Sequence, residues 1–231
     1  MFGRRGKSES DETSEVESTP EVEETQTADT ASQPGYPRDI TAADPSRERV
    51  DLGALQLPAM DEIGIDLQVD PNGNVAAVTV MLGASAVQLA VFAASRSEKM
   101  WDQVRKELRG NIGGSGGLVD EISGEFGPEL RANLPAQLPD GKTVMQPTRF
   151  LGFDGPRWFL RVTVQGAFTT PDGDPRVPEL LGGLVVDRGT QAMAPGDALA
   201  LRLPNQVVAQ GIPERPPLAP FARGPEITEI R

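Results

Sequence analysis

RFLGFDGPRWFLRVTVQ, residues 149–165, reads as two runs of strand-forming residues around Asp154-Gly155-Pro156-Arg157. Large apolar and β-branched residues on both sides of a Gly-Pro turn signal a hairpin. A three-residue loop would set Arg149 opposite Arg161, two like charges across a ladder. A four-residue loop pairs Phe153 with Trp158 and Leu151 with Leu160, and this register is expected on cross-strand energetics. The strands then run over 149–153 and 158–165, with Trp158, Leu160, Val162 and Val164 on the core face. Arg157, Phe159 and Arg161 fall on the opposite face, with Phe150 beside Arg161 and Asp154 beside Arg157.

Toward the N-terminus, Ile65, Leu67 and Val69 alternate with polar neighbours, and Pro71-Asn72-Gly73-Asn74 supplies an Asn-Gly turn. Residues 75–82 and 86–94 read as the next two strands, which makes a three-strand meander. Residues 75–94 carry no charge over twenty positions, about the length of a membrane span. Gly83-Ala84-Ser85 interrupts the run, Val75, Val78, Thr79 and Val80 favour strand, and Gln88 would sit unpaired in lipid, so two strands are expected instead. Ser95-Arg96-Ser97-Glu98 has capping-box spacing and predicts a helix over 97–110. Trp101, Val104 and Leu108 form its apolar stripe with Met100 beside it, while Asp102 and Lys106 can pair at i,i+4.

The glycines at 110, 113, 114, 116 and 117 should end that helix. Short strands are expected over 118–125 and 129–134 around a turn at Phe126-Gly127-Pro128. Farther on, Asp174 and Pro175 suit the start of a short helix carrying Val177, Leu180 and Leu181 and ended by Gly182 and Gly183. Residues 184–187 and 198–203 are further strand candidates. The fold class is therefore α+β, an antiparallel sheet built from hairpins with two main helices packed on it. Hairpin-plus-helix recurs at 75–110 and 149–183, though no residue-level repeat accompanies it.

Residues 8–33 hold nine acidic side chains and no basic one, with only Val16 and Val22 as sizeable apolar residues. Such a segment cannot bury enough surface to offset the entropy of ordering it. The expected organisation is a disordered acidic tail and linker over 1–45, one domain over 46–212, and a proline-containing tail over 213–231. Ser8, Ser10, Thr13, Ser14 and Thr25 lie among carboxylates, a setting that acid-directed kinases favour. The basic start, Met1 to Lys7, passes straight into Ser8-Glu9-Ser10-Asp11 without an apolar stretch, so a cytoplasmic location is expected.

The chain of 231 residues has no cysteine and no histidine. Thiolate nucleophiles, Ser-His-Asp triads and thiolate- or imidazole-bound metals are thereby excluded, leaving carboxylates, lysine, tyrosine or serine for any catalysis. The net charge of −12 argues against broad binding to nucleic acid or anionic membranes. Residues 1–45 account for −7 of it, so the folded part is only mildly acidic.

Three constellations bear on function. The glycine-rich run 110–117 invites a phosphate-loop reading, but it follows a helix rather than a strand and lacks the lysine and hydroxyl of such loops. Asp120, Glu121, Glu125 and Glu129 could hold magnesium or supply paired carboxylates, although a turn between the last two breaks their spacing. Arg157, Phe159 and Arg161 with Phe150 form an aromatic flanked by guanidiniums, a platform for a phosphate, a base or an acidic peptide. It is the strongest of the three. The alternative for that face is a covering helix with the arginines reaching out along it.

Met100-Trp101-Asp102-Gln103-Val104-Arg105, then 124–130 (GEFGPEL), the long motif 149–161 (RFLGFDGPRWFLR) and 193–199 (MAPGDAL) together resemble the actinobacterial family catalogued as domain of unknown function 3710, over roughly residues 36–212. The resemblance implies an actinobacterial, mainly cytoplasmic single-domain protein and brings no activity with it. The expected function is a noncatalytic interaction or adaptor domain with an unidentified protein partner, no cofactor and no metal. A small-molecule or nucleotide-phosphate binder is the alternative, in one form a carboxylate/magnesium enzyme using Glu121, Glu125 or Glu129.

Overall fold

The computed structural model describes residues 36–202 except 72, 139, 171 and 172. Residues 1–35 of the expected tail and linker at 1–45 lie outside the described residues, as do the expected tail at 213–231, Asn72 of the Asn-Gly turn and Leu203. Eleven strands and two helices follow in order: β1 (Arg38–Asp39), β2 (Arg49–Asp51), β3 (Leu55–Pro58), β4 (Ile63–Val69), β5 (Val75–Leu82), β6 (Ser85–Ala93), α1 (Met100–Gly114), β7 (Leu118–Gly124), β8 (Gly127–Gln137), β9 (Thr143–Gly155), β10 (Trp158–Gly166), α2 (Arg176–Gly183) and β11 (Val185–Val186).

Seven strands make one antiparallel sheet in the order β4-β5-β6-β10-β9-β8-β7, two meanders joined where β6 meets β10. A four-stranded sheet, β1-β11-β3-β2, lies beside it and contains one parallel pair, β1 with β11. Of this second sheet only β11 is legible in the sequence, as the strand candidate 184–187; β1, β2 and β3 are not, because strands of two to four residues are too short to show a period. Residues 36–45, expected as linker, are part of the fold: Arg38 pairs with Val185, and Asp39 is buried.

The main core fills the space between one face of the large sheet and the elements laid over it. Val78, Val80, Val87, Leu89, Leu151, Leu160 and Val162 meet Leu55 and Leu57 of β3 and Val177, Leu180 and Leu181 of α2. The charge-free stretch 75–94 thus supplies two inner strands. Among the described residues no helix is long and apolar enough to cross a membrane. A smaller cluster of Trp101, Ile112, Leu130, Ala132, Phe150 and Phe159 lies on the opposite face, beneath α1. The two helices therefore cover opposite faces of the sheet.

The 149–165 hairpin forms, but in another register. Trp158 pairs with Gly155, Leu160 with Phe153 and Val162 with Leu151, so the turn is the two residues Pro156-Arg157. Proline at the first corner and a positive φ of 64° at Arg157 suit a tight type II turn. Gly155 permits it, since a β-carbon there would come 2.0 Å from the Trp158 indole. The slip of two positions keeps each residue on its expected face but changes its neighbours: Arg161 lies opposite Gly152, Phe150 opposite Thr163, and Asp154 opposite Phe159.

Other boundaries also move. Helix α1 opens at Met100, not 97, although the Ser95 hydroxyl does accept from the Glu98 amide at 3.0 Å. It runs through Gly110 and Gly113 to Gly114 because Ile112 anchors the last turn in the smaller cluster. Asp102 pairs with Arg105, at 3.0 Å, three residues on. The β7–β8 turn is Glu125-Phe126, with Gly124 paired to Gly127, and β8 and β9 run well beyond their predicted limits. Of the strand candidate 198–203, the described residues 198–202 supply only isolated bridges, as Ala198 meets Phe92 and Leu201 meets Val75 where β5 and β6 have ceased to pair.

Candidate functional site

Helix α1 is fixed over one half of the sheet by contacts from four strands. Asp154 on β9 accepts from the Met100 amide at 2.8 Å and the Trp101 amide at 3.3 Å, capping the helix from 53 residues away. Trp101 then lies on Gly152, where a β-carbon would come 2.2 Å from the indole, and its Nε1–H donates to the Pro128 carbonyl at 2.6 Å. Farther along, Arg105 reaches Glu121 on β7 at 2.9 Å. Beneath the helix the rings of Trp101 and Phe159 stack 6.2 Å apart, and Phe92 of β6 stacks on Phe159 at 6.1 Å.

Burial pushes the Asp154 carboxyl above the ordinary aspartate value, against the opposing pull of the two amides and Lys99. Its proton is thus bound more tightly in the folded chain than in the unfolded one. The group's contribution to stability is greatest at low pH and falls as pH rises from the ordinary carboxyl range through its folded value. Asp154→Ala should cost about 1–2 kcal/mol by removing the cap. Asp154→Asn, which keeps an acceptor without the charge, should lose less and show a flatter stability–pH profile in mildly acidic urea melts.

The other half of this face, over β4, β5, β6 and part of β10, has no element laid over it among the described residues. Cross-strand pairing places Asp66, Thr79, Gln88 and Thr163 in one row. Gln68 accepts from Gln88 at 2.7 Å and donates to Thr79 at 3.1 Å. Small side chains, Ala77, Ala86 and Ala90, fill much of the rest.

Arg161 stands where the covered and open halves meet. Its strand neighbours on either side are Ala90 and Gly152, so no long side chain crowds it. The guanidinium lies 5.5 Å from the centre of the Phe92 ring. Among the described residues it has no carboxylate and no hydrogen-bond acceptor as partner. Partial burial lowers its pKa from the ordinary arginine value, yet arginine keeps its charge in proteins. A half-buried cation resting on an aromatic ring, with donors that no acceptor among the described residues occupies and a polar row beside it, is suited to a carboxylate or phosphate.

The residues singled out in the sequence are thus separated. Arg161 is at the open face, but Phe159 is 1% exposed and Phe150 8% exposed, both beneath α1. Arg157 is at the exposed tip of the β9–β10 turn. Phe92 is the aromatic that actually borders Arg161. Its signal was the alternation of Ala86, Gln88, Ala90 and Phe92 on one face of β6, hidden inside a run that is apolar at nearly every position.

The acidic cluster disperses as well. Glu121 faces α1 and Arg105, Glu125 is in the β7–β8 turn, and Glu129 is fully buried against Arg149 at 2.7 Å. Glu125 is close enough to Tyr36 for its charge to reinforce burial in raising the tyrosine pKa. Among the described residues no three acidic side chains gather in a way that could hold a metal ion. In the glycine-rich run, the Ser115, Gly116 and Gly117 amides donate to the Asn111, Gly113 and Ile112 carbonyls, closing the helix C-terminus. Those donors are occupied and at the end of the helix that repels anions.

No curated protein and no solved structure matches the chain. Residues 36–210 match the family model described as Protein of unknown function (DUF3710), and on that match, which spans most of its length, the chain belongs to this family.

Proposed function

We propose that the protein is a noncatalytic interaction domain that takes an acidic, extended polypeptide segment on the open half of its sheet, anchored at Arg161. The observation that carries this reading is the Arg161 guanidinium, half-buried on Phe92 and without an acceptor among the described residues. A carboxylate would complete it, and the hydroxyl and amide groups of Thr163, Gln88 and Thr79 offer further polar contacts along the row. A flat face suits a polypeptide better than a small phosphate ester, which binds best where walls enclose most of its surface.

The test is a titration of the full chain with a twelve-residue peptide of alternating glutamate and serine at low salt, following the Thr163 backbone amide resonance. Binding should shift that resonance and weaken at least tenfold in Arg161→Ala. The substitution should cost under about 1 kcal/mol of stability, the scale of an exposed cation–π contact. Equal affinity in wild type and Arg161→Ala would sink the reading. A response to inorganic phosphate but not to the peptide would favour a phosphate ligand in its place.

A further inference from the structure

The sector around Arg161 has a charge balance opposite to that of the chain. Residues 92–109 and 154–161, which form the end of β6, most of α1 and the β9–β10 tip, hold seven cations against four carboxylates, in a protein of net charge −12. Arg96, Lys99, Lys106, Arg157 and Arg161 take part in none of the ion pairs among the described residues. The Ala94 amide donates to the Arg157 carbonyl at 2.9 Å, and Lys99 is close enough to Asp154 to lower its pKa, so the β6–α1 connection and the hairpin tip share one end of the sheet.

The described chain begins at that same end. Tyr36 packs edge-on against Phe153, 5.5 Å between ring centres, and against Phe126 in the β7–β8 turn. It lies on the face opposite Arg161. The nine acidic residues of the preceding segment fall between Glu9 and Asp29, with no cation among them. The seven steps from Tyr36 to Asp29 reach at most about 25 Å when extended. That is enough to round the end of a sheet whose layer is about 10 Å thick.

We infer that residues 9–29 of this chain are an intramolecular occupant of the open face, their carboxylates set on Arg161 and the neighbouring cations. The inference rests on the reading of that face as an acidic-peptide site and adds its regulation: the tail competes with outside partners. A tethered segment acts at an effective concentration on the order of millimolar, so even weak contacts hold it in place. Charge-driven docking of this kind weakens with salt.

The absence of cysteine permits a single label. Thr25→Cys in the full chain, carrying a nitroxide, should broaden the amide signals of Ala90, Arg161 and Thr163 more than those of Asp120 on the far edge. The effect should vanish at 0.5 M salt and in Arg161→Ala. Uniform broadening, or broadening that survives Arg161→Ala, would overturn the inference. So would the same broadening between labelled and unlabelled copies mixed together, which would mean a second molecule supplies the tail. A full chain with the nine acids changed to Gln or Asn should bind the Glu/Ser peptide about tenfold tighter than wild type. Unchanged affinity defeats the tail inference alone, whereas no binding by this variant defeats the reading of the face beneath it.

Discussion

Glu129→Ala should cost about 3–5 kcal/mol, one of the two largest losses expected from any single change in this domain. The carboxylate is fully buried, with one oxygen 2.7 Å from Arg149 and the other 2.9 Å from Arg131. Arg149 is itself 6% exposed, lies 4.5 Å from the Phe168 ring and donates to the Phe168 carbonyl at 3.1 Å. Truncating the glutamate leaves that guanidinium buried without its counter-charge, and the desolvation cost of the orphan dominates the loss. Three variants measured by urea denaturation separate this from simple loss of contact. Glu129→Ala should fall by the full amount. Arg131→Ala should lose less than about 1 kcal/mol, because its side chain is 45% exposed and water can replace it. Glu129→Leu combined with Arg149→Met should recover most of the loss, since an apolar pair of similar volume needs no partner. If the double variant were as unstable as Glu129→Ala, the loss would come from shape and not from charge. This arrangement also accounts for the acidic cluster that the sequence offered as a magnesium site: Glu129 already has both oxygens engaged by arginines.

The parts of the fold that were legible are those with a period. Alternation marked β4, the hairpin composition marked β9 and β10, and the helical stripe of Trp101, Val104 and Leu108 marked α1. What escaped depends on contacts distant in sequence. The cap of α1 comes from Asp154, which local spacing assigned to Ser95-Glu98. The β9–β10 register depends on Gly155 making room for Trp158, and whole-strand pairing energies do not see a single missing β-carbon. The candidate site was half legible for the same reason. Arg161 was singled out from its own strand, but its aromatic neighbour Phe92 comes from β6, 69 positions earlier, and only the β6–β10 pairing brings the two together. Phe159 lies under α1, the covering helix that was the alternative for that face; the sequence left the choice open because which face α1 covers is decided by Gly152 and Pro128, residues that carry no helical signal.

Trp158→Ala should cost about 3–5 kcal/mol, as expected for a fully buried tryptophan truncated in a packed core. The indole does two separable things. Its rings fill the end of the main core over Gly155, and its Nε1–H donates to Asp39 Oδ2 at 2.8 Å, tying β10 to β1 across 119 residues. Trp158→Phe keeps most of the apolar volume and removes the donor, so it should lose roughly 1–3 kcal/mol, the cost of leaving a buried acceptor short of a partner. Asp39 would still accept from the Thr41 amide and hydroxyl through Oδ1, which places the loss toward the lower end. The location of the damage is the sharper test. Because β1 is only two residues long and pairs with β11, the Asp39–Trp158 bond is a main restraint on the start of the domain. In Trp158→Phe the Arg38 amide, which donates to the Leu184 carbonyl at 2.9 Å, should exchange with deuterium much faster than in wild type, while amides in β6 and β10 keep their protection. Faster exchange throughout the large sheet would show instead that the phenylalanine fails to fill the core. Since Tyr36 is just two residues before Arg38, the same variant should loosen the root of the acidic tail and weaken the nitroxide broadening at Arg161, without altering any residue of the open face.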